Sequence, residues 1–168
     1  MRELDISNGE GIGIALFVQG CSFHCYNCFN IETWDFKMGK EWTECNKCEF
    51  LELANREYVK RISILGGEPL HSENLNDVLY LIKEIKNCYK NTKTIWLYTG
   101  YTWEEIWGET NNNSLIRQKI IELCDIVVDG RYIDSKRDIT LKWRGSSNQR
   151  VIDVNQTLKQ NKLILHCE

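Results

Sequence analysis

The chain of 168 residues contains a single proline. It also has no unbroken apolar run of the roughly 18 residues that a membrane-crossing helix requires. Both absences argue against a membrane span, and the first argues against a loop-dominated fold. The N-terminus, with Arg2, Glu3 and Asp5, lacks the apolar core of a signal peptide, so the sequence predicts a cytoplasmic protein with no membrane partner. No internal repeat, low-complexity tract or interdomain linker interrupts it. A hydrophobic share of 42% beside 27% charged residues predicts one globular domain over residues 1–168 and excludes disorder, collagen and coiled coil. With a formal net charge of −3, nucleic acid is not the expected partner. One stretch departs from this balance: Arg131, Lys136, Arg137, Lys142, Arg144 and Arg150 face only Asp134 and Asp138, a local charge of +4.

What the chain has in unusual amount is cysteine. Eight cysteines fall short of the roughly 8 to 10% of a disulfide scaffold. Their placement is uneven: Cys21, Cys25 and Cys28 crowd together, Cys45 and Cys48 form a second close pair, and Cys88, Cys124 and Cys167 stand alone. In a reducing compartment such crowding points to metal or redox chemistry rather than to bridges.

Short β-branched and aromatic runs predict strands at Gly13–Val18, Arg61–Leu65, Thr94–Tyr98, Asp125–Val128 and Lys162–His166. Between them, Leu75, Val78, Leu79, Ile82, Ile85 and Tyr89 recur at helical spacing, with Asn74 as the expected N-cap. Thr102 with Glu105 is a capping-box signature, a further helix is expected over Ser114–Leu123, Thr43 is placed to cap one reaching about Arg56, and Asp153–Gln160 is a short helical candidate. Strands alternating with helices predict an α/β fold with a parallel sheet. A closed eight-stranded barrel takes about 250 residues, so the expectation is an open, incomplete β/α (partial TIM) barrel of about five parallel strands. Reactive groups in such folds sit in the loops after the C-terminal strand ends.

Immediately after the first predicted strand comes Gly20-Cys21-Ser22-Phe23-His24-Cys25-Tyr26-Asn27-Cys28, a C-x3-C-x2-C loop. Three thiolates can hold three corners of a [4Fe–4S] cluster, whereas a purely electron-transferring cluster normally has four cysteine ligands. An open coordination position is the mark of a catalytic metal site. Unrelated loop cysteines and part of a zinc site are the alternative readings. After the second strand stands Gly66-Gly67-Glu68-Pro69, where two glycines allow a ligand close to the backbone and Glu68 can accept bonds from an ammonium group.

The cysteine loop, its continuation Phe29-Asn30-Ile31-Glu32-Thr33-Trp34-Asp35, and the Gly-Gly-Glu-Pro turn resemble the radical S-adenosylmethionine (SAM) enzymes, in particular the small activases of glycyl-radical enzymes. Trp96-Leu97-Tyr98-Thr99-Gly100-Tyr101, Val128-Asp129-Gly130-Arg131-Tyr132 and the stretch Leu141 to Asp153 resemble, within them, the family that activates anaerobic ribonucleoside-triphosphate reductase. The resemblance runs over nearly the whole chain. It implies a single radical SAM domain in which Cys21, Cys25 and Cys28 hold a [4Fe–4S] cluster whose open iron chelates SAM. Tyr26 and Asn27 would lie beside the adenine, and Gly66, Gly67 and Glu68 would meet the methionine ammonium. Asp129 would face the SAM ribose or a monovalent cation, with Thr99 and Arg131 as neighbours. The superfamily pattern has an aromatic residue just before the third cysteine, where this chain has Asn27.

The activity implied is reductive cleavage of SAM to methionine and a 5′-deoxyadenosyl radical, which takes an α-hydrogen from one glycine of the large reductase subunit. A flavodoxin-like protein is the implied electron donor. Arg144 or Arg150 is expected to fix the cofactor carboxylate or dock the partner, while Ser146 to Asn148 read equally as a structured polar loop. Cys45 and Cys48 share a helix face at i and i+3 and read as structural or incidental, ahead of a redox pair. Cys88 and Cys124 read as small buried hydrophobes, and His24, His71 and His166 as residues without a ligand role. Two other functions stand beside the activase: a radical SAM enzyme acting on a small molecule, such as a carbon-ring-forming enzyme of deazapurine synthesis, and a noncatalytic iron–sulfur or zinc protein.

Overall fold

Four strands rich in Ile, Leu and Val lie side by side in parallel and carry everything else. The structure, a computed structural model, describes residues 1–167; Glu168, the end of the expected domain, lies outside the described residues. In chain order the strands are β1 (Arg2–Asp5), β2 (Gly13–Val18), β3 (Arg61–Gly66), β4 (Thr94–Tyr98), β5 (Ile126–Asp129), β6 (Arg150–Asp153) and β7 (Leu165–Cys167). They form one sheet in the same order as the sequence. Only β2 to β5 are parallel neighbours; β1 runs antiparallel to β2, β6 to β5, and β7 to β6.

The expected sheet of about five parallel strands is thus corrected to an open mixed sheet of seven among the described residues, four of them parallel neighbours. β1 escaped the sequence because Arg-Glu-Leu-Asp has three exposed residues and no apolar alternation. β6 lay hidden in a polar stretch. Its direction follows from its connection: residues 130–149 hold only a 3-10 turn, Asp134–Lys136, with no crossover helix of the kind that parallel neighbours need.

Among the described residues five helices complete the fold: α1 (Glu44–Ala54), α2 (Leu75–Tyr89), α3 (Trp103–Gly108), α4 (Asn112–Glu122) and α5 (Val154–Gln160). Thr43 and Thr102 form the capping boxes of α1 and α3, with Asn46 and Glu105 as the reciprocal partners. Asn111 caps α4, which begins two residues before the expected Ser114, and Asp153 caps α5. Asn74 precedes α2 but makes no cap bond. Its amide donates instead to the carbonyls of Gln19 and Glu68, at 3.1 and 2.9 Å. All five helices pack on one face of the sheet, in a core that includes Leu16, Phe50, Ile64, Ile82, Leu97, Ile120 and Val154. Among the described residues no helix is long and apolar enough to cross a membrane.

The opposite face is lined by Trp96, Ile126, Val128 and Val151, with Tyr98, Trp143 and Cys167 against them. Alternation along β3 puts Arg61 and Ser63 on this face as well. Both Arg61 and Asp5 have fully buried side chains and pair at 2.8 Å. Arg61 also donates to the carbonyls of Asp5, Asn8 and Glu10, so one guanidinium clamps the N-terminal segment beneath the sheet. Burial alone would raise the Asp5 carboxyl, but the bonds from Arg61 and from the Asn8 backbone hold it below its usual range. Removing one partner of a buried ion pair strands the other charge. Arg61→Ala is therefore expected to destabilise the protein by about 3–5 kcal/mol, read as a lowered denaturation midpoint in urea.

Candidate functional site

The loops after β2, β3, β4 and β5 meet around one cavity of about 460 Å³. Of the residues singled out from the sequence, Cys21, Cys25, Cys28, Gly66, Gly67, Glu68, Thr99, Arg131 and Arg144 line it. Tyr26, Asn27, Asp129 and Arg150 do not.

The cysteine loop leaves β2 through Gly20, whose φ of 96° favours glycine and where a Cβ would stand 2.1 Å from the Phe36 ring. The Gly20 and Cys21 amides donate to the carbonyls of Thr33 and Trp34, at 2.8 and 3.0 Å, which straps the loop to the 3-10 turn Ile31–Thr33. The loop bends at His24 and Asn27, with φ of 48° and 56°. Asparagine tolerates this left-handed conformation better than most residues do, which suits Asn27 to the bend. Tyr26 is 76% exposed. The aromatic rings nearest the cysteine loop on the cavity wall are instead those of Phe23, Phe29 and Trp34.

Backbone amides surround the sulfurs. Burial raises the Cys21 thiol, opposed by amide bonds from Phe23 and His24. Burial and then the neighbouring Cys28 raise Cys25, opposed by the Tyr132 backbone and the Arg131 charge. The Asn30 amide donates to the Cys28 sulfur at 3.4 Å. Soft thiolates with N–H···S bonds are the donor set that suits iron–sulfur clusters. Among the described residues no three His, Cys, Asp or Glu groups converge on one ion, whereas a cubane is ligated at separate corners. The residues present therefore fit a cluster.

Glu68 is the hub of the cavity's inner edge. Its backbone amide donates to the Gly20 carbonyl at 2.7 Å, so the turn after β3 is tied to the cysteine loop. Gly67 makes that approach feasible, since a Cβ there would stand 2.4 Å from the Gly20 carbonyl oxygen. The Glu68 carboxylate accepts from the Leu70 amide, the Thr99 hydroxyl and the Gly100 amide, at 2.8, 2.8 and 2.7 Å. Complete burial outweighs these donors and pushes its carboxyl up to about 7. Arg117, which the sequence reading passed over, supports the turn from α4: it donates to the Leu70 carbonyl at 2.9 Å and lies over the Tyr101 ring at 4.2 Å. Its one sequence signal is a lone arginine beside the apolar positions Ile120 and Ile121.

Asp129 has both carboxylate oxygens engaged. It accepts from the Trp103 amide at 2.8 Å and from Arg150, whose Nε donates at 3.0 Å. Arg150 also pairs with Glu104 at 2.7 Å. Arg150 thus joins β6 to the start of α3, away from the cavity. Arg131 bonds Glu105 at 2.9 Å and covers the Phe23 ring at 4.3 Å. Arg144 reaches the cavity wall with its Nε buried and unpartnered among the described residues. Its loop is held by Gln149, which accepts from the Gly145 and Ser146 amides and donates to the Gly130 carbonyl. Ser146, fully buried, accepts from the Ile133 amide at 3.2 Å. Cys45, Cys48 and Cys88 are exposed and free, whereas Cys124 is buried; Cys88 therefore departs from the expected buried role.

A family model described as a 4Fe–4S single cluster domain matches residues 7–152. The anaerobic ribonucleoside-triphosphate reductase-activating protein of Escherichia coli strain K12 is 36% identical over 151 residues, 88% of this chain and 92% of that protein. The chain belongs to this family. The Pasteurella multocida protein of the same name is 34% identical over 154 residues, covering 90% of this chain and 94% of its own. The family reaches bacteriophage: the relative in Enterobacteria phage T4 is 31% identical over 149 residues, 88% and 87% of the two chains.

The buried Glu68 carboxyl gives the cluster-free protein a pH signature. A folded-state value raised from 4.5 to about 7 means that the carboxyl's contribution to stability is present below pH 4.5 and is lost as pH rises through 7. Glu68→Gln is expected to flatten this window by about 1–3 kcal/mol. Denaturant titrations of both proteins from pH 5 to 8 measure the difference; parallel curves would show that Glu68 is ionised throughout.

Proposed function

We propose that the protein is a radical SAM activase that generates a glycyl radical on the large subunit of the anaerobic ribonucleoside-triphosphate reductase. The observation that carries this reading is the meeting of three thiols from one loop with Gly66, Gly67 and Glu68 around a single cavity. The names of the relatives support the choice of partner. When bound together, the [4Fe–4S] cluster and SAM supply one-electron reductive cleavage of the sulfonium C5′–S bond, giving methionine and the radical that removes the glycine α-hydrogen.

The chain's own residues hold and orient. Cys21, Cys25 and Cys28 would ligate three irons, with the amides of Phe23, His24 and Asn30 stabilising the thiolates. The turn at Gly66 and Gly67 brings bare backbone to the cavity for the methionine ammonium. The Glu68 carboxylate holds that turn against β4. Thr99 and Arg131 line the same wall, and Arg144 offers a buried N–H to a carboxylate. The incomplete-barrel architecture belongs to this proposal. Strands in sequence order, helices on one face and a cavity on the other support it, and an open sheet can admit a loop of a second protein. A flavodoxin-like donor would provide the electron.

The test is electron paramagnetic resonance on the anaerobically reconstituted protein with reductant, SAM and the reductase subunit from the same genome. A glycine-type doublet is expected, and it should vanish in Cys25→Ser protein. SAM cleavage without a doublet would overturn the choice of substrate. Neither cleavage nor doublet at full cluster content would favour a structural iron–sulfur protein.

A further inference from the structure

The connection between β5 and β6 folds back on itself beside the cavity. The Ser147 amide donates to the Lys136 carbonyl at 2.9 Å and the Asp138 amide to the Gly145 carbonyl at 3.3 Å, with Arg137 bridging Ser146. One side of this loop is held by Trp143, whose ring packs edge-on against Trp96 of β4 at 5.1 Å. The other is held by Arg137, whose guanidinium lies over the Phe29 ring of the cysteine loop at 5.4 Å. The anchored base presents Ile139, Thr140 and Lys142 to solvent. Ile139 is 86% exposed and Phe29 69%, although both line the cavity. They therefore stand where the cavity opens to solvent.

The same loop carries the basic excess seen in the sequence. Arg131 and Arg150, at its two ends, are paired with Glu105 and with Asp129 and Glu104. Lys136, Arg137 and Lys142 are exposed and form no ion pair among the described residues. The two acids of the stretch are satisfied inside it: Asp134 accepts from the Tyr132 hydroxyl, and Asp138 from the Thr140 amide and hydroxyl. Three free cations thus surround an exposed apolar pair, on a chain whose formal net charge is −3. Docking surfaces combine an apolar centre with a polar rim, and the sign of the rim selects and steers the partner. An ordered loop also loses less freedom on binding than a floppy one.

We propose that this loop is the docking surface for the reductase, taking an acidic stretch of its large subunit beside the glycine-bearing segment; the inference rests on the activase reading. Phe29 and Ile139 form the apolar contact, and Lys136, Arg137 and Lys142 form the basic rim. Hydrogen abstraction requires the target to enter the cavity, so the surface at its opening is the one that meets the reductase. An electron donor requires only nearness to the cysteines, which the exposed Tyr26 and Asn27 offer on the outside of their loop.

Lys136 and Lys142 do not line the cavity, so Lys136→Glu/Lys142→Glu reverses the rim without touching the cofactor site. Association of the reconstituted protein with the reductase large subunit from the same genome is followed by stopped-flow at low and high salt. The variant is expected to associate about tenfold more slowly at low salt, with the gap closing as salt rises. SAM cleavage driven by dithionite without reductase is expected to stay unchanged. Lys83→Glu/Lys159→Glu makes the same charge change at exposed positions of α2 and α5 and is expected to keep the full association rate. Equal slowing in both variants would overturn the inference by reducing it to net charge, and unchanged association in the first would overturn it outright. Unchanged association, with cleavage lowered only when a flavodoxin-like donor replaces dithionite, would overturn it by assigning the loop to the donor. Absence of both association and glycyl radical in the unsubstituted protein would remove the activase reading and this inference together.

Discussion

The Glu68 carboxylate, buried and bonded to three donors, joins pieces of chain that would otherwise be independent loops. Its own amide reaches Gly20 in the cysteine loop, while its side chain reaches Leu70 in the following turn and Thr99 and Gly100 at the end of β4. The loops after β2, β3 and β4 are thereby fixed to one another at the strand ends, where a parallel sheet leaves its edge of carbonyls open. Burying a carboxylate is unfavourable unless donors surround it, and here the donors come from the elements that have to be aligned. The cavity follows from that arrangement.

Two arginines extend the same logic. Arg61 gathers the N-terminal segment beneath the sheet through Asp5 and three carbonyls. Arg150 binds β6 to the start of α3 through Asp129 and Glu104. Both sit at or near ends of strands, where a long, multidentate side chain can satisfy several backbone or carboxylate acceptors at once. Asp129 illustrates the consequence: a carboxylate at a strand end that reads as a ligand group in one dimension is, in three, an acceptor for an arginine twenty-one residues away.

The relation between motif and cavity is uneven. Residues whose role depends on local spacing reached the site: the three cysteines, the two glycines and Glu68 all line it. Residues assigned through neighbours in a motif did so less often, because side chains of adjacent residues point in different directions. Tyr26 and Asn27 turn outward on a left-handed bend, while Phe23 and Phe29 from the same loop face the cavity. Arg117 was passed over because nothing in its local pattern distinguishes it from a solvated helix charge.

What the sequence alone determined was whatever depends on short-range periodicity and composition: the four central strands, the helices between them with the caps at Thr43 and Thr102, and the crowding of three cysteines into the C-x3-C-x2-C loop. What the tertiary structure decided was pairing at long range. The antiparallel β1 and β6 are short strands defined by their neighbours rather than by their own residues, and β7, expected from its residues, took its antiparallel direction from pairing with β6. Asn74 gave up its helix for carbonyls of two loops, and Asp129 met Arg150 across the sheet. Local propensity is written in residues three or four apart, whereas the partner of a buried charge or the neighbour of an edge strand is selected only when distant segments compete for the same hydrogen bonds.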